Sequence, residues 1–161
     1  MNKKVIVNIA TQELTVLDSG KPSFKCPAST AANGPGNKLD SYCTPLGKHI
    51  IRAKIGAGLP IGAVLKGRRW TGEICDADSY RQDPDRDWIL TRVLWLSGCQ
   101  PGYNRFGDVD TMKRYIYIHG TPDAVDLTKP ESCGCVRVAN QDMLKLFDML
   151  PPATSVVITE S

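Results

Sequence analysis

Helical periodicity occurs clearly in only one stretch of this 161-residue chain; the rest is written in short β-branched and aromatic runs. Met143, Leu146, Phe147 and Leu150 recur at i, i+3, i+4 and i+7, so they share one helix face. Asn140 stands where an N-cap belongs, and Pro151-Pro152 stops the pattern. Residues 5–9, 14–17, 23–26, 48–54, 88–96, 114–118 and 154–159 read instead as strands. Fourteen glycines and eleven prolines break the chain between them. Residues 28–41 and 98–112 read as polar loops, Thr44-Pro45-Leu46-Gly47 as a turn, and residues 56–72 as glycine-rich and irregular. The expected fold is mainly β with one main C-terminal helix, in a single domain over residues 1–161.

Charge excludes some partners. A net charge of +3 with scattered Lys and Arg is no nucleic-acid footprint. The longest basic cluster, Lys66-Gly67-Arg68-Arg69, reads as a solvated loop rather than a phosphate site. No apolar run is long enough to span a membrane. The chain passes from Met1-Asn2-Lys3-Lys4 directly into its first strand without the apolar run of an export signal. If Met1 is the native start, the expected location is cytoplasmic. Six cysteines then read as buried hydrophobes or free thiols rather than a disulfide framework. The single close pair, Cys133-Gly134-Cys135, lacks ordinary zinc spacing, so a zinc site using Cys133, Cys135 and His119 is disfavoured.

The stretch from Tyr115 to Asn140 holds one of the two histidines and two of the six cysteines. Alternation along 114–119 puts Tyr115, Tyr117 and His119 on one strand face, toward a groove, and Ile116 and Ile118 on the other, toward the core. His119 would end that strand, rigidly mounted beside a loop, which suits a general base. Gly134 before Cys135 removes side-chain bulk, so the N–H groups of Gly134 and Cys135 can approach a developing oxyanion. A neighbouring imidazole would lower the thiol pKa, and Arg137 would hold a carboxylate or favour the thiolate. Spacing alone leaves two readings open: a catalytic pair, or an unrelated strand histidine and loop thiol.

"HGT" at 119–121 with "SCGCVRV" at 132–138 resembles the signature of the YkuD-type L,D-transpeptidase family. "VIVNIATQELTVLDSGK", "TPLGKHII" and "NQDMLKLFDMLPPATSVVI" are similar to that family's opening hairpin, Thr-Pro-x-Gly turn with its strand, and closing helix and strand. The resemblance implies a β-sandwich of mixed sheets. It implies Cys135 as nucleophile and His119 as base, with the Gly120 carbonyl orienting the imidazole. Arg137 becomes an active-site support; Ser132 and Gly134 match motif positions, and Ser132 and Tyr117 join Arg137 as substrate-binding candidates. Cys133 departs from the pattern, standing where many members carry His; it would be inert or pair with Cys135, with inert the expectation. His49 falls where the family has an aromatic residue, which implies packing.

What the resemblance implies chemically is attack on the bond between the third residue and the D-residue of a peptidoglycan stem peptide, through an acyl-enzyme. No metal or organic cofactor is implied. Partners would be stem peptides or muropeptides, with carbapenem-type inhibitors acylating the same thiol, and neither nucleic acid nor membrane. The expected activity is a cytoplasmic L,D-carboxypeptidase of muropeptide recycling. The alternatives are an exported, periplasmic L,D-transpeptidase whose leader has been removed, and a non-catalytic stem-peptide-binding module.

Overall fold

A computed structural model describes residues 2–161. The chain opens with β1 (Lys3–Asn8) and β2 (Glu13–Asp18), an antiparallel hairpin, followed by β3 (Lys21–Pro27). Val5, Val7, Leu14 and Val16 alternate with more exposed neighbours and are fully buried, which fixes the hairpin's inward face. A long loop leads to β4 (Gly47–Ile55), then β5 (Ala63–Lys66), β6 (Arg69–Ile74) and the short helix α1 (Ala77–Gln82). β7 (Leu90–Gly98), β8 (Tyr117–Thr121), β9 (Val136–Ala139), helix α2 (Asn140–Met149) and β10 (Ser155–Thr159) complete the chain.

The strands join in one mixed sheet of ten, with spatial order β3-β2-β1-β10-β4-β7-β5-β6. β8 leaves this path from β7 and carries β9. Two pairs are parallel, β1 with β10 and β8 with β9; the other pairs are antiparallel. β7 pairs with β4, β5 and β8, and residues on its buried run such as Leu94 and Leu96 face the core. Met143, Leu146 and Phe147 of α2, with Leu150, close that core against Val136, Val138 and Ile118. Each such fully buried side chain contributes roughly 1.5–3 kcal/mol.

Several expectations shift. Residues 56–72 are irregular only as far as Gly62: from Ala63, β5 and β6 form a hairpin, and every residue of β6 is exposed, so no apolar period marks it in the sequence. The strand expected at 114–118 runs from Tyr117 to Thr121 instead. Asp110 accepts from the Lys113 N–H at 3.0 Å and the Phe106 N–H at 2.7 Å, holding a 3-10 turn over Met112–Arg114. Tyr115 follows in the left-handed region at φ 56°, off the strand. Asn140 is not the N-cap of α2; Ala139 is, and the Asn140 side chain instead accepts from the Thr91 hydroxyl at 2.7 Å. Helix α1 carries no apolar period because it buries no residue, although Asp76 and Ser79 form a capping box at its start.

Candidate active site

Parallel pairing of β8 with β9 brings the two halves of the sequence signature together. His119 lies opposite Arg137, and Ile118 opposite Val136. The core face of this pair carries Ile118, Val136 and Val138, all fully buried. The other face carries Tyr117, His119 and Arg137, with Cys135 just before β9. The Tyr117 N–H donates to Cys135 Sγ at 3.3 Å, and the thiol donates to the Tyr115 carbonyl at 3.5 Å. Cys135 thus sits one alternation along β8 from His119, with no direct hydrogen bond between Sγ and the ring among the described residues.

The histidine is fully buried. Its Nδ1–H donates to the Gly120 carbonyl at 2.6 Å, which fixes the tautomer and leaves Nε2 with its lone pair unpartnered. Gly120 has no room for a side chain: a Cβ there would stand 2.7 Å from the Leu90 carbonyl and against Asn140 Oδ1. Burial lowers the His119 pKa to about 4, against the raising effects of the Asp87 charge and the Gly120 bond. Burial also pushes the Cys135 thiol up, partly countered by the Tyr117 N–H. The resting pair is therefore neutral thiol and neutral imidazole, not the preformed thiolate expected from their proximity. Such a pair can act by general-base catalysis, the proton leaving sulfur as the new bond forms.

The loop carrying the thiol is pinned from inside. The Ser132 hydroxyl donates to the Cys135 carbonyl at 2.6 Å and accepts from the Gly134 N–H at 3.1 Å. Ser132 is buried, so its hydroxyl is spent in the loop rather than presented to a substrate. The same bond engages the Gly134 N–H, leaving the Cys135 N–H as the candidate oxyanion donor of the two. Gly134 has φ 132°, and a Cβ there would meet the Cys43 carbonyl at 3.1 Å. The Thr44 hydroxyl donates to the Gly134 carbonyl at 2.9 Å. Thr44 was visible in the sequence as part of the Thr-Pro-x-Gly turn, but its role in holding the nucleophile loop was not.

Arg137 keeps Nε buried and unpartnered, while its Nη2 reaches Asp87 at 3.4 Å. Asp87 gave no signal in the sequence, lying in an acidic loop far from the signature. Cys135 opens onto a groove of about 490 Å³, lined also by Arg68, Asp87, Tyr115, Tyr117 and Cys133. Tyr117 is a groove residue as expected from its strand face. Cys133 is exposed, and all six cysteines are free thiols. His49 is buried on β4, its Nδ1–H on the Gly47 carbonyl and its Nε2 accepting from the Thr111 hydroxyl, both at 3.0 Å. That is a satisfied structural histidine, remote from the thiol in the hydrogen-bond network.

Burial lowers His49, like His119, from 6.5 to about 4. In both cases the unfolded chain takes up a proton that the native state refuses. Their contribution is present above pH 6.5 and is lost as pH falls toward 4. The two rings act in the same direction, so their effects on stability reinforce one another. Urea midpoints measured from pH 7.5 to 4 should therefore fall steeply below 6.5, and His49→Gln should flatten part of that fall. A midpoint independent of pH in this window would contradict the neutral state of both rings.

The sequence matches the family model of YkuD, the L,D-transpeptidase catalytic domain, over residues 2–158. Among solved structures, an L,D-transpeptidase from Xylanimonas cellulosilytica is 19% identical, with 98% of this chain and 60% of that chain covered and a TM-score of 0.57. An Enterococcus faecium L,D-transpeptidase mutant is 16% identical, covering 99% and 50%, with a TM-score of 0.58. L,D-transpeptidase 3 from Mycobacterium tuberculosis, in complex with a faropenem-derived adduct, is 17% identical, covering 98% and 60%, with a TM-score of 0.59. At these identities the likeness shows the fold, and this chain spans only 50–60% of the length of those structures. The comparison with curated proteins finds no match.

Proposed function

Because the chain belongs to the L,D-transpeptidase catalytic-domain family, we propose that it is a cysteine-dependent acyl-transfer enzyme acting on peptidoglycan stem peptides. Within that chemistry we read it as an L,D-carboxypeptidase that removes the terminal D-alanine of a tetrapeptide stem. The observation that carries the acyl-transfer reading is the unpartnered, buried Nε2 of His119, with the opposite nitrogen locked on the Gly120 carbonyl. Sγ of Cys135 attacks the carbonyl of the third residue while its proton passes to Nε2. The Cys135 N–H faces the developing oxyanion. Collapse expels the D-alanine amine, which takes the proton from His119. Water then gives a proton to the same nitrogen, attacks the thioester, and releases tripeptide and thiol. Carbapenem-type inhibitors would acylate the same sulfur; a structural neighbour, an L,D-transpeptidase, is solved in complex with the carbapenem imipenem.

Water is favoured as acceptor by the shape around the thiol. The 490 Å³ groove suits one short peptide, and Asp87, paired with Arg137, forms a wall shared with a neighbouring groove of about 340 Å³. Transfer to an amine is the second reading, favoured by that neighbouring groove, where Asp85, Asp87 and Glu131 outnumber Arg86 and Arg137 and leave a mildly acidic lining. A transpeptidase must hold its acceptor amine in attack geometry, where positioning reaches effective molarities of ~10⁵ M or more. Mass spectrometry of a tetrapeptide stem incubated with the protein decides between them. Tripeptide should dominate even with excess D-amino acid or second stem peptide present; cross-linked dimers as the main product would overturn the hydrolytic reading.

A further inference from the structure

The hairpin between β5 and β6 turns through Gly67 and Arg68, both at positive φ (56° and 64°), with Lys66 paired to Arg69. Such two-residue turns favour glycine or asparagine where φ is positive, and an arginine there is disfavoured by its Cβ. What the turn gains is a fixed guanidinium. Arg68 Cζ lies 4.8 Å from the Trp95 ring centroid and 4.9 Å from that of Tyr115, the two rings tilted 34° to one another. Its Nη1 donates to the Tyr117 hydroxyl at 3.1 Å. Tyr115 is itself left-handed, so two disfavoured backbone conformations from distant parts of the chain meet over one groove.

That groove is the one onto which Cys135 opens. Its charged lining is Arg68, Arg114 and Asp87. Arg114 spends its donors on the Gly36 and Cys43 carbonyls and the Ser41 hydroxyl, and Asp87 pairs with Arg137. Among the described residues no carboxylate stands within ion-pair distance of Arg68, so its remaining N–H donors have no anionic partner. A cation gripped by two aromatic faces and lacking a counter-charge is a preorganised carboxylate receptor.

We infer that Arg68 is a specificity-determining residue that binds a carboxylate of the acyl-donor peptide. The inference rests on the stem-peptide reading above. The carboxylate is either the terminal one of the D-residue or a side-chain one on a diamino-diacid third residue. The two are separable by amidating each in turn.

The test uses a tetrapeptide with both carboxylates free and its two mono-amides. kcat and KM are measured for the wild type, Arg68→Gly and Arg68→Lys, and binding to Cys135→Ala with and without the Arg68→Gly change. Glycine suits the positive φ better than arginine, so Arg68→Gly should keep or raise the unfolding midpoint. On the free acid, KM should rise roughly 10- to 100-fold with kcat near unchanged, the range expected for one hydrogen bond to a charged group. Amidating the matching carboxylate should impose the same loss on the wild type and little further loss on Arg68→Gly, with Arg68→Lys recovering part of it. Equal effects of Arg68→Gly on all three peptides, or none, would overturn the inference and leave the acyl-transfer reading standing. Carboxylate- and Arg68-dependent binding by a protein that releases no D-alanine would do the reverse. Absence of binding by all three peptides would sink both.

Discussion

Cys135→Ala is expected to lower turnover of a tetrapeptide stem by more than about 10³-fold, while Cys133→Ala keeps most of it. The two thiols are separated by one glycine, yet only one is mounted for attack. Cys135 Sγ is held by the Tyr117 N–H on the face of β8 that carries His119, and its carbonyl is anchored by Ser132. Cys133 is exposed on the loop before it. Loss of a nucleophile removes the covalent route altogether, whereas loss of a neighbouring exposed thiol removes nothing the mechanism uses. Steady-state release of D-alanine by the two variants measures this. Survival of activity in Cys135→Ala with its loss in Cys133→Ala would reverse the assignment.

His119→Ala should cost at least the ~10²-fold typical of a general base. The size follows from the neutral resting pair. With the thiol pKa raised by burial, few thiolates exist near neutral pH, and the proton must leave through Nε2 during attack. Activity should therefore fall on acidification only as Nε2 takes a proton from solvent, so the acid limb is set by the folded-state value near 4 and not by the ordinary 6.5. His49→Ala should act through stability alone, because both ring nitrogens of His49 are satisfied within the fold. kcat/KM against pH for the folded variants checks this; equal catalytic loss from both substitutions at unchanged folding would contradict it.

The elements legible in the sequence are those whose burial writes a period into it. The β1–β2 hairpin alternates Val5, Val7, Leu14 and Val16 inward, and α2 repeats Met143, Leu146 and Phe147 on one face. Where no face is buried, nothing is written: β6 and α1 bury no residue, and neither carries a period in the sequence. Composition sets the strand of Tyr117–Thr121 three residues early, because aromatic Tyr115 and Tyr117 look alike in it. Backbone handedness at Tyr115, set by a turn that Asp110 caps, separates them.

The site divides in the same way. His119, Gly120, Gly134, Cys135 and Arg137 are close in sequence, so their resemblance to a known signature and the parallel pairing of β8 with β9 bring them to one face. Asp87 and Arg68 come from loops and turns 30 to 70 residues away, with no local pattern to announce them. Only the sheet order, which sets β5 and β8 on β7, brings the hairpin tip over the thiol. The neutral resting state of the pair is likewise a property of burial, which spacing does not report.

The central claim is that Cys135 carries the acyl group. Intact-protein mass spectrometry of the protein quenched in acid after mixing with tetrapeptide stem, followed by peptide mapping, tests it most directly. The account predicts an adduct with the mass of the tripeptidyl acyl group, on Cys135, with D-alanine released in at least the amount of adduct and no adduct in Cys135→Ala. Release of D-alanine with no adduct at any quench time, or an adduct mapped to Cys133, would contradict it.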